Sequence, residues 1–131
     1  MKKRIFATVL TIALMFSLSG VCFAAESVFS KVPIDSNEYE LVTTAKKDTT
    51  GSNAEIKITA FYKADGSSSW TYTKAWVKAT SSGEGRIGIL NVWVPVPIPS
   101  AYRSAGKYVD LYAHGFNPSL DCCISGYWNV H

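Results

Sequence analysis

Histidine and cysteine, the side chains most used for acid–base chemistry, nucleophilic attack and transition-metal ligation, are scarce here, with two histidines and three cysteines in 131 residues. His114 has Asp110 four positions before it, but on an extended strand the two lie about 13 Å apart. No Gly-x-Ser-x-Gly elbow marks a nucleophile, so the chain reads as a protein other than an enzyme. Cys122, Cys123, His114 and His131 are the candidate soft-metal ligands. Adjacent cysteines on a strand diverge and lack the Cys-x-x-Cys spacing that zinc favours. Asp48, Asp65 and Glu84 fall in loops, where turn geometry alone accounts for them. Neither a metal nor another cofactor is expected.

An excess of charge is missing too, once the chain's start is understood. Met1-Lys2-Lys3-Arg4 is followed by an apolar run over 5–16 and then by Ser17-Leu18-Ser19-Gly20 and Val21-Cys22-Phe23-Ala24. A basic head, an apolar stretch of about 12 residues and a small-residue exit form the pattern of a secretory signal peptide over 1–24. The uncharged stretch is only marginally long enough to span a bilayer. The expectation is export to the extracellular space, cleavage before Ala25 and no stable membrane span afterwards. Lys2, Lys3 and Arg4 account for three of the 13 basic residues, so the remainder carries ten against ten acidic ones. A neutral mature chain gives no support for nucleic-acid binding. The basic pair Lys46-Lys47 reads as a solvated strand end.

A structural staple is the third absence. Cys22 leaves with the signal, and a bond between Cys122 and Cys123 would need a strained ring far from ordinary disulfide geometry. The domain must therefore be held by its core, which a chain rich in Trp, Tyr, Ile and Val can build. If Ile124, Trp128 and Val130 face inward, Cys122 joins them and Cys123 faces outward beside Ser125 and Tyr127. Cys123 is then an exposed thiol, able to link two copies into a disulfide-bonded dimer.

Long amphipathic helical periodicity and internal repeats are absent as well. After a leader over 25–37, whose order depends on docking to the body, the domain at 38–131 shows short β-prone runs separated by Gly, Ser, Asp and Pro clusters. Strands are predicted over 39–46, 54–63, 70–80, 86–94, 107–113 and 121–130. The second and third form a hairpin, and the fourth is central. Val94-Pro95-Val96-Pro97-Ile98-Pro99 reads as an edge or polyproline crossover, because alternate prolines remove ladder donors. The fold class is all-β, a small antiparallel sandwich of about six strands, with a small barrel as the alternative. The candidate core is Ile56, Ile58, Tyr62, Ile87, Ile89, Trp93, Val109, Leu111, Ile124, Trp128 and Val130.

Aromatic residues are abundant. On a sheet with one wet face, a row such as Trp70, Tyr72 and Trp76 can stack on sugar rings or on a protein partner. The bland alternative is that these rings simply cover the sheet, with the stems of Lys74 and Lys78 beside them. The function this supports is a secreted binding or interaction module acting at the cell surface or in the medium, its partner a protein or a cell-wall or glycan surface.

Two resemblances bear on this. The closing run Ile124-Ser125-Gly126-Tyr127-Trp128-Asn129-Val130, after Val109-Asp110-Leu111-Tyr112-Ala113, resembles the C-terminal hairpin of small secreted Firmicute proteins without an assigned function. Trp76-Val77-Lys78-Ala79-Thr80 with Asn91-Val92-Trp93 is similar to the last strands of the lactococcin 972 class of secreted β-sandwich bacteriocins. That second match covers under about twenty residues and lacks the class's His- and Gly-rich front half. Neither supplies catalytic residues. Together they imply a small exported β-domain of a Gram-positive bacterium, and the second implies a bacteriocin-like antimicrobial alternative, tested by spotting the protein on lawns of related bacteria.

Overall fold

The computed structural model describes residues 26–69, 74–80, 84–117 and 121–131. The signal segment 1–24 and the aromatics Trp70 and Tyr72 lie outside the described residues. Eight strands are described: β1 (Ser27–Ile34), β2 (Glu40–Lys46), β3 (Asn53–Lys63), β4 (Lys74–Ala79), β5 (Gly85–Ile89), β6 (Trp93–Pro97), β7 (Tyr108–Gly115) and β8 (Cys122–Asn129). They form two four-stranded antiparallel sheets, a first in the order β1-β8-β3-β6 and a second in the order β2-β7-β4-β5. The fold is a β-sandwich and not a closed barrel.

The two strands beyond the expected six come from segments whose composition concealed them. Residues 25–37 contribute β1, docked along β8 from Ser27 opposite Trp128 to Ile34 opposite Cys122. The proline-rich run contributes β6, whose Pro95 and Pro97 are tolerated because β6 stands at the edge of the first sheet, paired among the described residues with β3 alone. The predicted fourth strand divides in two at Leu90, Asn91 and Val92, where the chain passes from the second sheet to the first. Asn91 takes a positive φ of 59° there, and its N–H donates to the Ile58 carbonyl at 2.7 Å. Consequently β5 is an edge strand and not a central one. The predicted hairpin between the second and third strands is also corrected, since β3 and β4 belong to different sheets. Among the described residues of that path, Tyr62 and Ser69 form an isolated antiparallel bridge.

Alternation along the strands builds the core. Ala54, Ile56 and Ile58 of β3, Ala75, Val77 and Ala79 of β4, and Val109, Leu111 and Ala113 of β7 point between the sheets, together with Ile124 and Trp128 of β8. Trp128 is fully buried, and its indole N–H donates across the sandwich to the Val109 carbonyl at 3.4 Å. Of the candidate core, Ile56, Ile58, Val109, Leu111, Ile124, Trp128 and Val130 are buried. Tyr62, Ile87, Ile89 and Trp93 are not. A bulge between Ile58 and Ala60 shifts the β3 register, so Phe61 takes the inward place expected of Tyr62. On β5 it is Gly88 that faces inward, in the space filled by the Ile58 side chain. Ile87 and Ile89 therefore look outward, with Ile89 43 % exposed. Trp93 lies opposite Lys57 on the outer side of the first sheet and is 39 % exposed.

Candidate functional site

The outer face of the second sheet carries a row of side chains that runs from β5 across β4 and β7 to the residue before β2. Trp76 of β4 has Ile87 of β5 directly opposite on one side and His114 of β7 on the other. The indole stacks on the His114 imidazole with centroids 6.5 Å apart and lies 6.4 Å from the Phe116 ring. Tyr39, immediately before β2, meets His114 edge-to-face at 4.5 Å and extends its hydroxyl over Gly85 of β5. A Cβ on Gly85 would come within 2.5 Å of that oxygen, so the glycine is what lets the tyrosine lie across the sheet. Burial raises the Tyr39 phenol above its ordinary value.

Polar groups on this face are positioned by the same rows. His114 donates from Nδ1 to the Gly115 carbonyl at 2.8 Å. The Lys78 ammonium sits over the Tyr39 ring at 4.1 Å, and the Lys74 ammonium over Phe116 at 5.2 Å. Such placements join a cation to the negative face of a ring. Phe116 remains 44 % exposed. Trp76 is thus where the sequence placed it, on an outward aromatic face beside Lys74 and Lys78. His114, Tyr39 and Phe116 complete the face. No sequence signal links Tyr39 or Phe116 to Trp76, because β2, β4 and β7 meet only through the sheet order.

The sequence-level acid–base pair is not brought together. The Asp110 carboxylate accepts from the Thr44 hydroxyl at 2.6 Å, while His114 is committed to a backbone carbonyl and to its ring neighbours. Among the described residues, His, Cys, Asp and Glu side chains do not gather in any group of three that could hold a metal.

Cys122 and Cys123 are both free thiols. Cys122 faces inward as expected, and burial together with the neighbouring Cys123 and Asp121 pushes its thiol up to about 11. Cys123 points to the outer side of the first sheet, also as expected, but it is only 4 % exposed, which corrects the expectation of an exposed thiol. It lies between Pro33 of β1 and Tyr62 of β3, and its Sγ donates to the Ala64 carbonyl at 3.5 Å. Lys31 crosses nearby, its ammonium 5.1 Å from the centre of the Tyr62 ring. Burial raises the Cys123 thiol as well. At this end of the sandwich a cleft of about 430 Å³ is lined by Pro33, Ile34, Asp35, Glu40, Ala64, Asp121 and Cys122. Two of its carboxylates serve the backbone: Asp35 accepts from the N–H groups of Asn37 and Glu38, and Asp121 from that of Ser36.

Lys47 at the opposite end is 1 % exposed, so the Lys46-Lys47 pair is not simply a solvated strand end. Its ammonium donates to the Val130 carbonyl at 2.7 Å and to the His131 carbonyl at 3.4 Å.

Comparison with protein-family models, curated proteins and solved structures finds no match to this chain.

Proposed function

We propose that this chain is an exported binding module, engaging a partner at the cell surface or in the medium through the outer face of the second sheet. The observation that carries the reading is the continuous row of Ile87, Trp76, His114 and Tyr39, flanked by Phe116 and by two lysine ammonium groups laid on rings. Apolar rings on a sheet's wet side are costly to leave in water, and rings combined with cations are a composition suited to recognition. The inward residues of β4 and β7 already supply the core, so Trp76 and Phe116 are not needed to hold the sheets together.

The test uses the protein recovered from the medium and insoluble cell-envelope material of the producing organism. Wild type is expected to sediment with the envelope, and Trp76→Ala to remain in solution with a melting midpoint within a few degrees of wild type. Equal sedimentation of the two proteins would remove the basis of the reading.

A further inference from the structure

The two open sheets end in four edge strands, β1 and β6 in the first and β2 and β5 in the second. An edge offers unpaired N–H and carbonyl groups to any strand that meets it, and native sheets blunt it with bulges, prolines or charge. Three of the four carry such a device. β1 is bulged between Phe29 and Val32, with Lys31 at a positive φ of 49° and Pro33 beyond. β2 is bulged between Leu41 and Thr43, and β6 holds Pro95 and Pro97. β5, which reads Gly85-Arg86-Ile87-Gly88-Ile89, has no proline and pairs with β4 in unbroken register. Its one charge is tied to its own chain, the Arg86 guanidinium lying 3.0 Å from the Glu84 carboxylate.

The outer side of β5 matches a second copy of itself. Arg86 donates to the Gly85 carbonyl at 3.2 Å, and the Val92 N–H donates to the Ile89 carbonyl at 3.3 Å, so both carbonyls turn to partners other than β4. Alternation along the strand turns the N–H and carbonyl of Ile87 the same way, out from the sheet. A second β5 laid antiparallel about a twofold axis at Ile87 exchanges both of those bonds between the two Ile87 residues. The same register sets Gly85 opposite the partner's Ile89 and Arg86 opposite the partner's Gly88. In each unlike pair a glycine faces the larger side chain, so the strand is complementary to itself. Ile89, now 43 % exposed, comes against the tyrosine that lies over the partner's Gly85.

Charge does not oppose this meeting. Beyond residue 24 the chain carries ten basic and ten acidic residues, so two copies approach without net repulsion. Lys78 stands opposite Gly85, and Lys74 opposite Ile89, which puts each lysine three strand spacings, about 14 Å, from its counterpart across the axis. That exceeds the screening length of about 8 Å in physiological salt.

We infer that two copies of this chain pair through β5, joining their second sheets into one continuous sheet with the twofold axis at Ile87. The pairing holds whatever the outer face binds, and it runs the two rows of Trp76 and Ile87 end to end across the axis. The devices on the other three edges leave β5 as the edge suited to strand addition among the described residues, so assembly closes at two copies. Pairing over five residues makes a small interface, so the dimer is reversible and its population grows with concentration.

The experiment is sedimentation of the protein recovered from the medium over micromolar to millimolar concentrations, with and without reductant. Wild type is expected to pass from monomer to dimer and no further, and reductant should change nothing. Ile87→Lys sets two like charges directly opposite and should weaken the dimer about tenfold or more, whereas Leu41→Lys, on the exposed β2 edge, should dimerise as wild type does. Melting midpoints near wild type at low concentration show that both variants fold. A second measurement needs no loss of binding. Opposed residues of a hydrogen-bonded antiparallel pair have Cα atoms about 5.5 Å apart, within the span of a disulfide. Ile87→Cys should therefore cross-link into dimers under mild oxidation, and Leu41→Cys should stay monomeric. A wild type that is monomeric at every concentration, a dimer that survives Ile87→Lys, or cross-linking of Leu41→Cys as fast as that of Ile87→Cys would overturn the pairing. Growth past two copies would overturn its closure, and a dimer abolished by reductant would move the contact to a thiol.

Discussion

Cys122 and Cys123 show how far strand parity reaches and where it stops. Alternation places the two thiols on opposite sides of β8, and that much follows from sequence alone. Exposure does not follow, because the cover over Cys123 comes from β1, from Tyr62 and from the turn at Ala64, all remote in sequence. A thiol reagent acts on the thiolate, and both groups are buried with raised values. Neither cysteine is therefore expected to react in the native protein, and both should react in denaturant; rapid native modification of Cys123 would show that its cover opens readily. The same burial sets a pH dependence. The folded protein holds the Cys122 proton more tightly than the unfolded chain, so this contribution to stability is complete below about pH 9 and is lost as the pH rises to about 11. Urea titrations across that range should show wild type losing stability faster than Cys122→Ala.

At the scale of strands, the errors in reading the sequence cluster at irregularities. Bulges interrupt β1 between Phe29 and Val32, β2 between Leu41 and Thr43, and β3 between Ile58 and Ala60. Each resets the inward phase, and no residue pattern in the chain announces it. In the regular stretches of β7 and β8 the inward parity of Val109, Leu111, Cys122, Ile124 and Trp128 was legible, as was the edge character of the proline-bearing run. Glycine placement is a second source of error, since Gly88 and Gly126 occupy inward positions that a hydrophobic count passes over. Gly126 pairs with Phe29 of β1 and Ile58 of β3 in the middle of the first sheet. A Cβ there would collide with the Lys57 carbonyl oxygen and lie 2.9 Å from the Phe29 ring. Gly126→Ala is thus expected to cost about 1–3 kcal/mol by overpacking, with β1 loosened first and its amides losing hydrogen-exchange protection. Gly51→Ala has only the Lys47 side-chain tip at 4.0 Å and serves as the near-neutral comparison; equal midpoints for the two variants would contradict the packing described.

The sandwich as a whole depends on polar ties between its sheets as well as on its core. The Ser27 and Thr43 hydroxyls join the edges β1 and β2 at 2.8 Å, Asn91 joins the β5–β6 corner to β3, and Trp128 bonds across the interior. Lys47 closes one end by linking the residue after β2, in the second sheet, to the carbonyl after β8, in the first. Its backbone takes part too, with Lys47 N–H on the Lys107 carbonyl at 2.9 Å and the Gly106 N–H on the Lys47 carbonyl at 2.8 Å. Nothing local in the sequence distinguishes this lysine from Lys46, because its burial depends on where the chain's last residues arrive. Removing the side chain leaves a buried carbonyl without its donor and a void along the stem, so Lys47→Ala is expected to cost about 2–4 kcal/mol. Lys47→Met fills the stem and should cost less, giving midpoints in the order wild type, Met, Ala. Burial lowers the Lys47 ammonium below its ordinary value, and the sign of the resulting pH effect is opposite to that of Cys122. Between the lowered value and about 10.5 the unfolded chain holds the proton that the folded protein has released, so wild type gains stability from this group as the pH rises. Lys47→Met lacks that gain, and its deficit relative to wild type should widen toward alkaline pH. A Lys47→Ala protein with an unchanged midpoint would show that the buried ammonium does not hold the two sheets together at this end, and a Met deficit constant with pH would show that burial does not lower the Lys47 ammonium.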